Sequence, residues 1–388
     1  MSKRWYQSLA LAALMATTGL SARAEIVVGV VTSETGAIAS IGLPYKRGIL
    51  AGQTFEGEAG GETFRLIVID DASDPSNASR AARKLIEEDH ADVILGSAGS
   101  PATNAMIAVA TELKTPLIAI APIGTAPKVD GKVWAVCSVQ PASDMVGIVV
   151  DYIARQKAKT VGYIGFSDAF GDLIYSNLAK AATSDALTIT ANERYGRTDT
   201  SLTAQALKVA AAKPDAVMVG GSGTAGALPY TALAERGYKG AIYSSPAIIN
   251  PDFIRLAGKS AEGTIVSAGP ITVVDELPDA NPSKAVGLRF REAFQQANGQ
   301  ALNENFSAYA FDGWLIMADA AKRVLASGQK PGMAEFRGAL RDALYATKDL
   351  AGANGIYSYS ADSIFGTDRR SLVLVRLDKG KWTYLQQQ

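Results

Sequence analysis

Cysteine and histidine are almost missing from this chain of 388 residues, which has one of each, Cys137 and His90. A single cysteine cannot form an internal disulfide, and metal sites built from cysteine and histidine need several such ligands. A nucleophile that needs a histidine base is equally poorly supplied. This scarcity argues against an enzyme and against a resident metal or cofactor, although catalysis by carboxylates alone stays open.

Neither sign of charge is in excess, since 38 basic residues balance 38 acidic ones. Chains that bind nucleic acid or anionic membranes through charge have a clear surplus of Lys and Arg, so we expect no nucleic-acid partner. Long apolar runs are also scarce. After residue 24, no segment approaches the roughly 18 consecutive apolar residues of a membrane span.

The first 24 residues are typical of a secretory signal peptide. Lys3 and Arg4 give a charged start, residues 9–20 form an apolar centre, and Ala22-Arg23-Ala24 is a small-x-small cleavage site. We therefore expect an exported mature protein that begins near Glu25. No cysteine follows the predicted cleavage site, so a lipoprotein anchor is not expected.

The rest of the sequence alternates between strands and helices. Apolar runs predict strands at 26–31, 64–69, 91–95, 116–121 and 133–137, separated by helices at 44–55, 77–88 and 105–113. This alternation predicts a doubly wound parallel sheet. The pattern restarts after Pro141 and predicts a second α/β lobe over about 145–270. Its strands are expected at 160–166, 188–195, 216–220, 241–245 and 264–268, and its helices at 145–156, 171–182, 201–212 and 225–237. Cys137 is expected as a buried strand thiol and His90 at a helix C-terminus.

Three helical patterns follow, at 283–298, 306–327 and 333–346, and a terminal hairpin is predicted from 371–377 and 381–385. The helices bring no strands of their own, so we expect them to pack on a sheet formed earlier in the chain. Tyr309 and Asp312 share one face of the second helix. They are interpreted either as hinge or cleft residues or as a core tyrosine beside a solvated aspartate.

Ligands of parallel α/β sheets bind beyond the carboxyl ends of the strands. The loop 96–104 is the most suggestive one, because its small residues let a ligand approach the backbone. Ser100 is a good N-cap and Pro101 suits the first helical position, so free N–H groups there would attract an anion. On this stretch alone, a strand–helix connection that binds nothing is the simpler interpretation. Asp70-Asp71 is expected to cap a turn.

The series of loop motifs resembles the periplasmic solute-binding proteins of ABC transporters, of the leucine/isoleucine/valine-binding type. The segments that carry the resemblance are 26–31 with Gly36 and Gly42, 70–75, 96–103, 121–127, 168–171, 261–263 and 309–312. The resemblance implies two doubly wound parallel-sheet lobes joined by three hinge crossovers, with a ligand cleft between them. Residues 25–143 and 272–354 would form the N-terminal lobe, and 144–271 and 355–388 the C-terminal lobe.

The resemblance also implies which residues contact the ligand. Ser100 and Thr125 would donate hydrogen bonds to a carboxylate, helped by backbone N–H groups near Ile123 and by the helix start at Pro101. Phe170 would cover the ligand from the second lobe. The expected set is completed by Ser40, Gly223, Thr224 and Ala247.

Two departures from the family pattern bear on the ligand. Ser73 and Gly99 stand where amino-acid-binding members often have a disulfide, so the loop is expected to be more mobile. Ala247 stands where those members have a glutamate for the ligand ammonium. A buried ammonium without a carboxylate would be costly, which favours an aromatic or otherwise apolar organic acid as ligand.

Three alternatives stay open at this point. A neutral amide or a branched-chain amino acid would bind if Asp168 or Glu262 replaced the lost glutamate. A carboxylate-based hydrolase on the same two-lobe plan is the second, and a ligand sensor for a membrane receptor is the third. The favoured interpretation is a periplasmic monomer that delivers its ligand to a membrane permease.

Overall fold

Two β-sheets organise the computed structural model, which describes residues 25–361 and 363–385. The predicted signal peptide lies outside the described residues. The first sheet has the order β2-β3-β1-β4-β5-β8, and all of its strands are parallel except β2. Its strands are β1 (Ile26–Thr32), β2 (Glu58–Ala59), β3 (Glu62–Asp70), β4 (Val93–Gly96), β5 (Leu117–Ala119) and β8 (Ala135–Cys137).

The second sheet has the order β10-β9-β11-β12-β13-β16-β17. The five strands β9 to β13 are parallel, and the terminal hairpin adds two antiparallel strands at one edge. These strands are β9 (Thr160–Phe166), β10 (Thr188–Tyr195), β11 (Ala216–Gly220), β12 (Ala241–Ser244), β13 (Ile265–Ala268), β16 (Val373–Asp378) and β17 (Lys381–Tyr384). Two short hairpins stand apart: β6 (Lys128–Val129) with β7 (Lys132–Val133), and β14 (Leu350–Ala351) with β15 (Ile356–Tyr357).

Eleven α-helices lie within the described residues. They are α1 (Ala39–Phe55), α2 (Pro75–Glu87), α3 (Ser100–Glu112), α4 (Ala142–Arg155), α5 (Ala169–Ser184), α6 (Thr203–Ala211), α7 (Leu228–Glu235), α8 (Pro251–Ala257), α9 (Pro282–Asn298), α10 (Phe306–Ala326) and α11 (Ala334–Tyr345). The alternation predicted from the sequence is confirmed.

Two local predictions were wrong, and one helix was missed. Helix α1 begins at Ala39 and contains Pro44, whereas the prediction used this proline as the helix start. The predicted helix 225–237 begins instead as a 3₁₀ turn at Thr224–Ala227. Helix α8 was missed because only seven residues form it, too few for a clear apolar period.

The three helices that follow residue 282 return to the first sheet, as the absence of strands among them suggested. Helices α9 and α10 pack on α1, and α11 packs on α10. The approach is closest at Gly48, where an added Cβ would lie 2.0 Å from the Ser307 carbonyl oxygen. Trp314 is fully buried there, as expected for a core residue, and its indole N–H donates to the Glu56 carbonyl at 2.9 Å.

The chain passes three times between the two sheets: from β8 to α4, from β13 to α9, and from α11 to β16. The lobe boundaries expected from the family resemblance, after 143, 271 and 354, fall in or beside these passages and stay a prediction.

Cys137 ends β8 as a fully buried strand residue, and burial raises the pKa of its thiol to about 12. His90 lies beyond the last residue of α2 with φ 56°, so it belongs to the turn rather than to the helix end.

Asp312 of α10 joins the first and third passages. Its carboxyl group accepts hydrogen bonds from the N–H groups of Ala353 and Asn354 at 2.7 and 2.8 Å. The Tyr357 hydroxyl lies 2.8 Å from both an Asp312 oxygen and the Ser138 carbonyl oxygen. Asp312 is fully buried, which rules out the solvated aspartate.

Burial raises the pKa of Asp312 to about 7, although the hydrogen bonds from Asn354, Ala353 and Tyr357 act in the opposite direction. A hydroxyl group has one proton, so Tyr357 cannot donate to Asp312 and Ser138 together. Both contacts become hydrogen bonds when Asp312 is protonated and donates to Tyr357. The geometry therefore agrees with a raised pKa.

Replacing Gly48 with alanine should lower the free energy of unfolding by about 1–3 kcal/mol, because the new methyl group forces α1 away from Ser307. Gly338 of α11 is a matched control, since an added Cβ there meets no atom within 4 Å. Gly338→Ala should stabilise the protein by about 0.5–1 kcal/mol through helix propensity. Urea unfolding of both variants measures these changes, and equal effects would contradict the close approach.

Asp312→Asn should destabilise the protein by about 1–3 kcal/mol, because an amide nitrogen cannot accept the Asn354 N–H. The folded-state pKa lies above the unfolded value of about 3.9, so the protonated carboxyl stabilises the fold at low pH. This contribution is lost as pH rises toward 7. Urea unfolding at pH 5 and pH 8 should therefore show a larger gap between wild type and variant at pH 5. An equal gap at both values would contradict the raised pKa.

Candidate functional site

The two lobes, meaning the elements packed on each sheet, touch where strands of both sheets end. The Ser40 hydroxyl of α1 accepts a hydrogen bond from the Thr224 N–H at 3.3 Å. A Cβ on Gly223, whose φ is 56°, would lie 2.7 Å from the same hydroxyl oxygen. The Asn305 side chain donates to the Pro246 carbonyl at 3.3 Å. The structure thus brings Ser40, Gly223 and Thr224 together as one contact between the lobes.

A cavity of about 580 Å³ also lies between the lobes, with α3 and the loop 123–127 on one side and α5 on the other; none of the residues of this contact lines it. We call it the cleft cavity. Three of the predicted ligand residues line it: Ser100, Ile123 and Thr125. Its remaining lining residues are Asn104, Ile107, Gly124, Pro127, Ala169, Asp172, Leu173 and Ser176.

Ser100 has a different local role from the predicted one. The N-cap of α3 is Gly99, and Ser100 is the first helical residue, so Pro101 comes second. The buried Ser100 hydroxyl donates to the Pro122 carbonyl at 2.5 Å. This hydrogen bond takes up the only proton of the hydroxyl group, and it connects the start of α3 to the loop 122–125. Donation from this hydroxyl to a ligand would require that bond to break.

Thr125 is the better donor in this geometry. It is exposed and lines the cleft cavity, and its hydroxyl has no hydrogen-bond partner among the described residues. Ile123 is buried. Burial raises the pKa of the nearby Cys137 thiol, and the backbone N–H groups of Val139 and Ile123 act in the opposite direction.

Phe170 does not line the cleft cavity. It is 3% exposed and packs inside the second lobe against Phe166, with ring centroids 6.4 Å apart. Ala247 is half-buried, and its carbonyl accepts the Gly223 N–H at 2.8 Å. This bond ties the two loops of the second lobe that follow β11 and β12.

Arg197, two residues beyond the end of β10, was not predicted from the sequence. Its Nε donates to Asp168 at 2.6 Å and its Nη1 to the Ser222 hydroxyl at 3.0 Å. The guanidinium lies 4.1 Å from the Phe166 ring centroid, and the Arg197 and Asp168 side chains are only 17% and 23% exposed. Its position close to the carboxyl end of a strand was a usable signal, because ligands of parallel sheets bind there.

The two carboxylates considered as replacements for the lost glutamate already have partners. Asp168 accepts the N–H groups of Phe170 and Gly171 with one oxygen and Arg197 with the other. Glu262 accepts the N–H groups of Lys379 and Gly380 at 2.8 and 2.9 Å in the terminal hairpin. Asp172 does line the cleft cavity, but it is exposed and pairs with Arg194 at 3.0 Å.

Asp70 and Asp71 act as turn-capping residues at the end of β3. Burial raises the pKa of Asp70, but hydrogen bonds from Thr35, Ala72 and Glu34 outweigh it and lower the pKa overall. The Ser73 hydroxyl donates to the Thr35 carbonyl at 2.7 Å, so this serine fastens the turn where a cysteine was expected in relatives. No group of three or more His, Cys, Asp or Glu among the described residues could hold a metal ion.

The model of a family described as periplasmic binding protein matches residues 25–381. The chain belongs to this family. The match covers nearly all of the described residues, so the resemblance seen in the loop motifs is confirmed: the chain is a type I periplasmic binding protein of the leucine/isoleucine/valine-binding family.

Relatives with known names agree. An amino acid binding protein of Pseudomonas aeruginosa is 29% identical over 81% of this chain and 86% of its own length. The Leu/Ile/Val-binding protein homolog 3 of Brucella melitensis is 24% identical over 91% of this chain and 92% of its own. An extracellular ligand-binding receptor of Rhodopseudomonas palustris HaA2 superposes with a TM-score of 0.89 at 39% identity, over 93% of this chain and all of that one.

These proteins are solute-binding proteins of the ABC-transporter type rather than enzymes, in agreement with the prediction from scarce histidine and cysteine. Family members are periplasmic. No helix within the described part of this periplasmic binding protein is long and apolar enough to cross a membrane.

Arg197→Lys should lower the free energy of unfolding by about 1–2 kcal/mol, because an ammonium group cannot bond Asp168 and Ser222 in the same fork geometry. Arg370→Lys is the control, since Arg370 also pairs with an aspartate but is fully exposed. We expect no measurable change from the control. Urea unfolding compares the two, and an unchanged Arg197→Lys protein would show that the pair contributes nothing to stability.

Proposed function

We propose that this protein captures a small organic carboxylate with an aromatic or apolar body and delivers it to an ABC permease. The observation that carries the proposal is that, in the described part of the chain, each carboxylate that the sequence or the cleft cavity offers to a ligand ammonium already has a partner. Position 247 is alanine, and Asp168, one of the two candidates from the sequence, already accepts hydrogen bonds from Arg197 and two backbone N–H groups. An ammonium placed there would have to displace Arg197 or stay unpaired, and both are costly.

The opposite wall suits an anion. The cleft cavity includes the first turn of α3, where backbone N–H groups and the helix dipole favour negative charge. The Thr125 hydroxyl is free to donate, and Ile107, Ile123 and Leu173 supply apolar surface in the same cavity. A carboxylate next to Thr125 with an apolar body against these side chains satisfies both halves of the lining.

Structures of the same fold hold both kinds of ligand. A solute-binding protein of an R. palustris ABC transporter, 22% identical with a TM-score of 0.74, is in complex with benzoate. LivJ of Streptococcus pneumoniae, also 22% identical with a TM-score of 0.76, is in complex with isoleucine. The fold therefore leaves the choice of ligand to side chains such as residue 247.

A branched-chain amino acid is the second candidate, and Asp172 is the observation that favours it. This carboxylate lines the cleft cavity and is 74% exposed, so its pair with Arg194 would be cheap to exchange. Leucine would then bind with its ammonium near α5. Export through a cleaved signal peptide and a monomeric working state belong to the proposal under either ligand.

Titration calorimetry on the mature protein should show binding of benzoate or 3-phenylpropionate and none of leucine or leucinamide. Thr125→Val should weaken carboxylate binding about tenfold or more, because a hydrogen bond to a charged group contributes about 1.5–3 kcal/mol.

The control is Thr183→Val on α5, whose hydroxyl bonds the Ala179 carbonyl and does not line the cavity. It should leave affinity unchanged. Binding of leucine but not of the aromatic acids would overturn the ligand class while keeping the transport role.

A further inference from the structure

Arg197 connects two parts of the second lobe that face the first lobe at different places. One part is the start of α5, which lines the cleft cavity with Ala169 and Leu173. The other part is the loop 221–226, which follows β11 and contacts α1 of the first lobe. No residue of this loop lines the cleft cavity. The cavity wall and the lobe contact are therefore separate features, and Arg197 bonds to both of them.

At the start of α5, Arg197 acts through Asp168, the N-cap residue of that helix. One Asp168 oxygen accepts the N–H groups of Phe170 and Gly171 at 2.9 and 3.2 Å, and the other accepts the Arg197 Nε–H at 2.6 Å. A side-chain cap satisfies the free N–H groups of the first turn and stabilises the helix start. Because the cap and the ion pair use the same carboxylate, the guanidinium also fixes where α5 begins.

At the loop 221–226, the Arg197 Nη1 donates to the Ser222 hydroxyl at 3.0 Å. Ser222 is only 6% exposed, so this bond lies largely out of water, where a lost partner is costly. The next residue, Gly223, donates its N–H to the Ala247 carbonyl at 2.8 Å. The loop is thus held from the β10 side by Arg197 and from the β12 side by Ala247.

The contact that this loop makes with the first lobe tolerates little displacement. The Thr224 N–H lies 3.3 Å from the Ser40 hydroxyl oxygen, so a further separation of roughly 0.3 Å would weaken the bond strongly. Movement in the other direction is blocked as well. The backbone of Gly223 lies so close that an added Cβ would be 2.7 Å from the same oxygen. The loop must therefore be positioned accurately for the two lobes to meet.

The surroundings of Arg197 suit such a positioning role better than direct ligand binding. Its side chain is 17% exposed and does not line the cleft cavity. Its guanidinium lies 4.1 Å from the Phe166 ring centroid, so the ring covers one face of the cation. The planar group is thus held by Asp168, Ser222 and an aromatic ring, all within the second lobe.

We propose that Arg197 is a positioning residue for the contact between the lobes. By holding Asp168 and Ser222 together, it keeps the loop 221–226 in place against Ser40 while α5 keeps its position in the cleft wall. A solute that binds against α5 is thereby coupled to the meeting of the lobes. The role rests on the proposed function only in that a solute binds in the cleft, whichever solute that is. The competing interpretation is an ion pair that stabilises the second lobe alone.

The separation of two spin labels, one on each lobe, tests this role. The labels are attached to cysteines introduced at the exposed positions Glu88 and Lys180, since the native Cys137 is buried. Pulsed electron paramagnetic resonance measures the distance between them without ligand, with excess benzoate and with excess leucine. The condition in which the wild type shows the shortest distance is then used for all variants. Circular dichroism checks that each variant is folded.

Ser222→Ala removes one end of the connection and leaves the pair of Arg197 with Asp168 intact. It should lower the fraction of molecules at the short wild-type distance by about twofold or more, because the loop is no longer held against Ser40. Arg197→Lys should lower this fraction at least as much. Ser327→Ala is the control, because it also removes a serine hydrogen bond, to the Val324 carbonyl at the end of α10, far from the contact. The control should match the wild type.

Ser40→Ala distinguishes positioning from plain stabilisation, because it removes the acceptor on the first lobe without touching Arg197. If Arg197 acts through this contact, Ser222→Ala should have no further effect in the Ser40→Ala protein. Additive effects of the two changes would mean that they act independently and would overturn the proposal. Unchanged distances in both Ser222→Ala and Arg197→Lys would also overturn it. If neither benzoate nor leucine bound, the ligand class would fail, and the distances without ligand would still decide the role of Arg197.

Discussion

A buried carboxyl group holds the joint between the lobes. Asp312 lies on a helix of the first lobe and accepts backbone N–H groups from the third passage between the sheets. Through Tyr357 it also reaches Ser138 at the first passage. A buried charge without such partners would be unfavourable, and the partners come from segments more than 200 residues apart. The relative position of the two sheets, and with it the cleft, depends on this junction.

Several polar groups around the cleft already have hydrogen-bond partners within the protein. The Ser100 hydroxyl donates to the Pro122 carbonyl, and Asp168 accepts from Arg197. Such internal bonds keep the walls rigid and reduce the ordering that binding would otherwise require. They also leave few free groups, and Thr125 is one of them. Under the proposed function, selectivity therefore depends on a small number of side chains.

The order and type of the elements could be predicted because they depend on local periodicity. Three of the predicted strands have the observed bounds, 160–166, 188–195 and 216–220. Apolar runs between turn residues define such strands well. The family also followed from the sequence, because several loop motifs in a fixed order are far more specific than any one of them. Helix starts were less certain, since the capping residue depends on neighbours distant in sequence.

The sequence by itself determined the α/β alternation, the near absence of metal-binding and nucleophilic chemistry, and the alanine at position 247. Only the tertiary structure decided how polar groups are paired. It buries Phe170 in the core of the second lobe and pairs Asp168 with Arg197, which lies 29 residues further along the chain. It also lets the Ser100 hydroxyl donate to the Pro122 carbonyl. The physical reason is that strands and helices follow from short-range sterics and hydrophobic period, whereas a hydrogen bond is assigned to whichever partner the fold brings within reach.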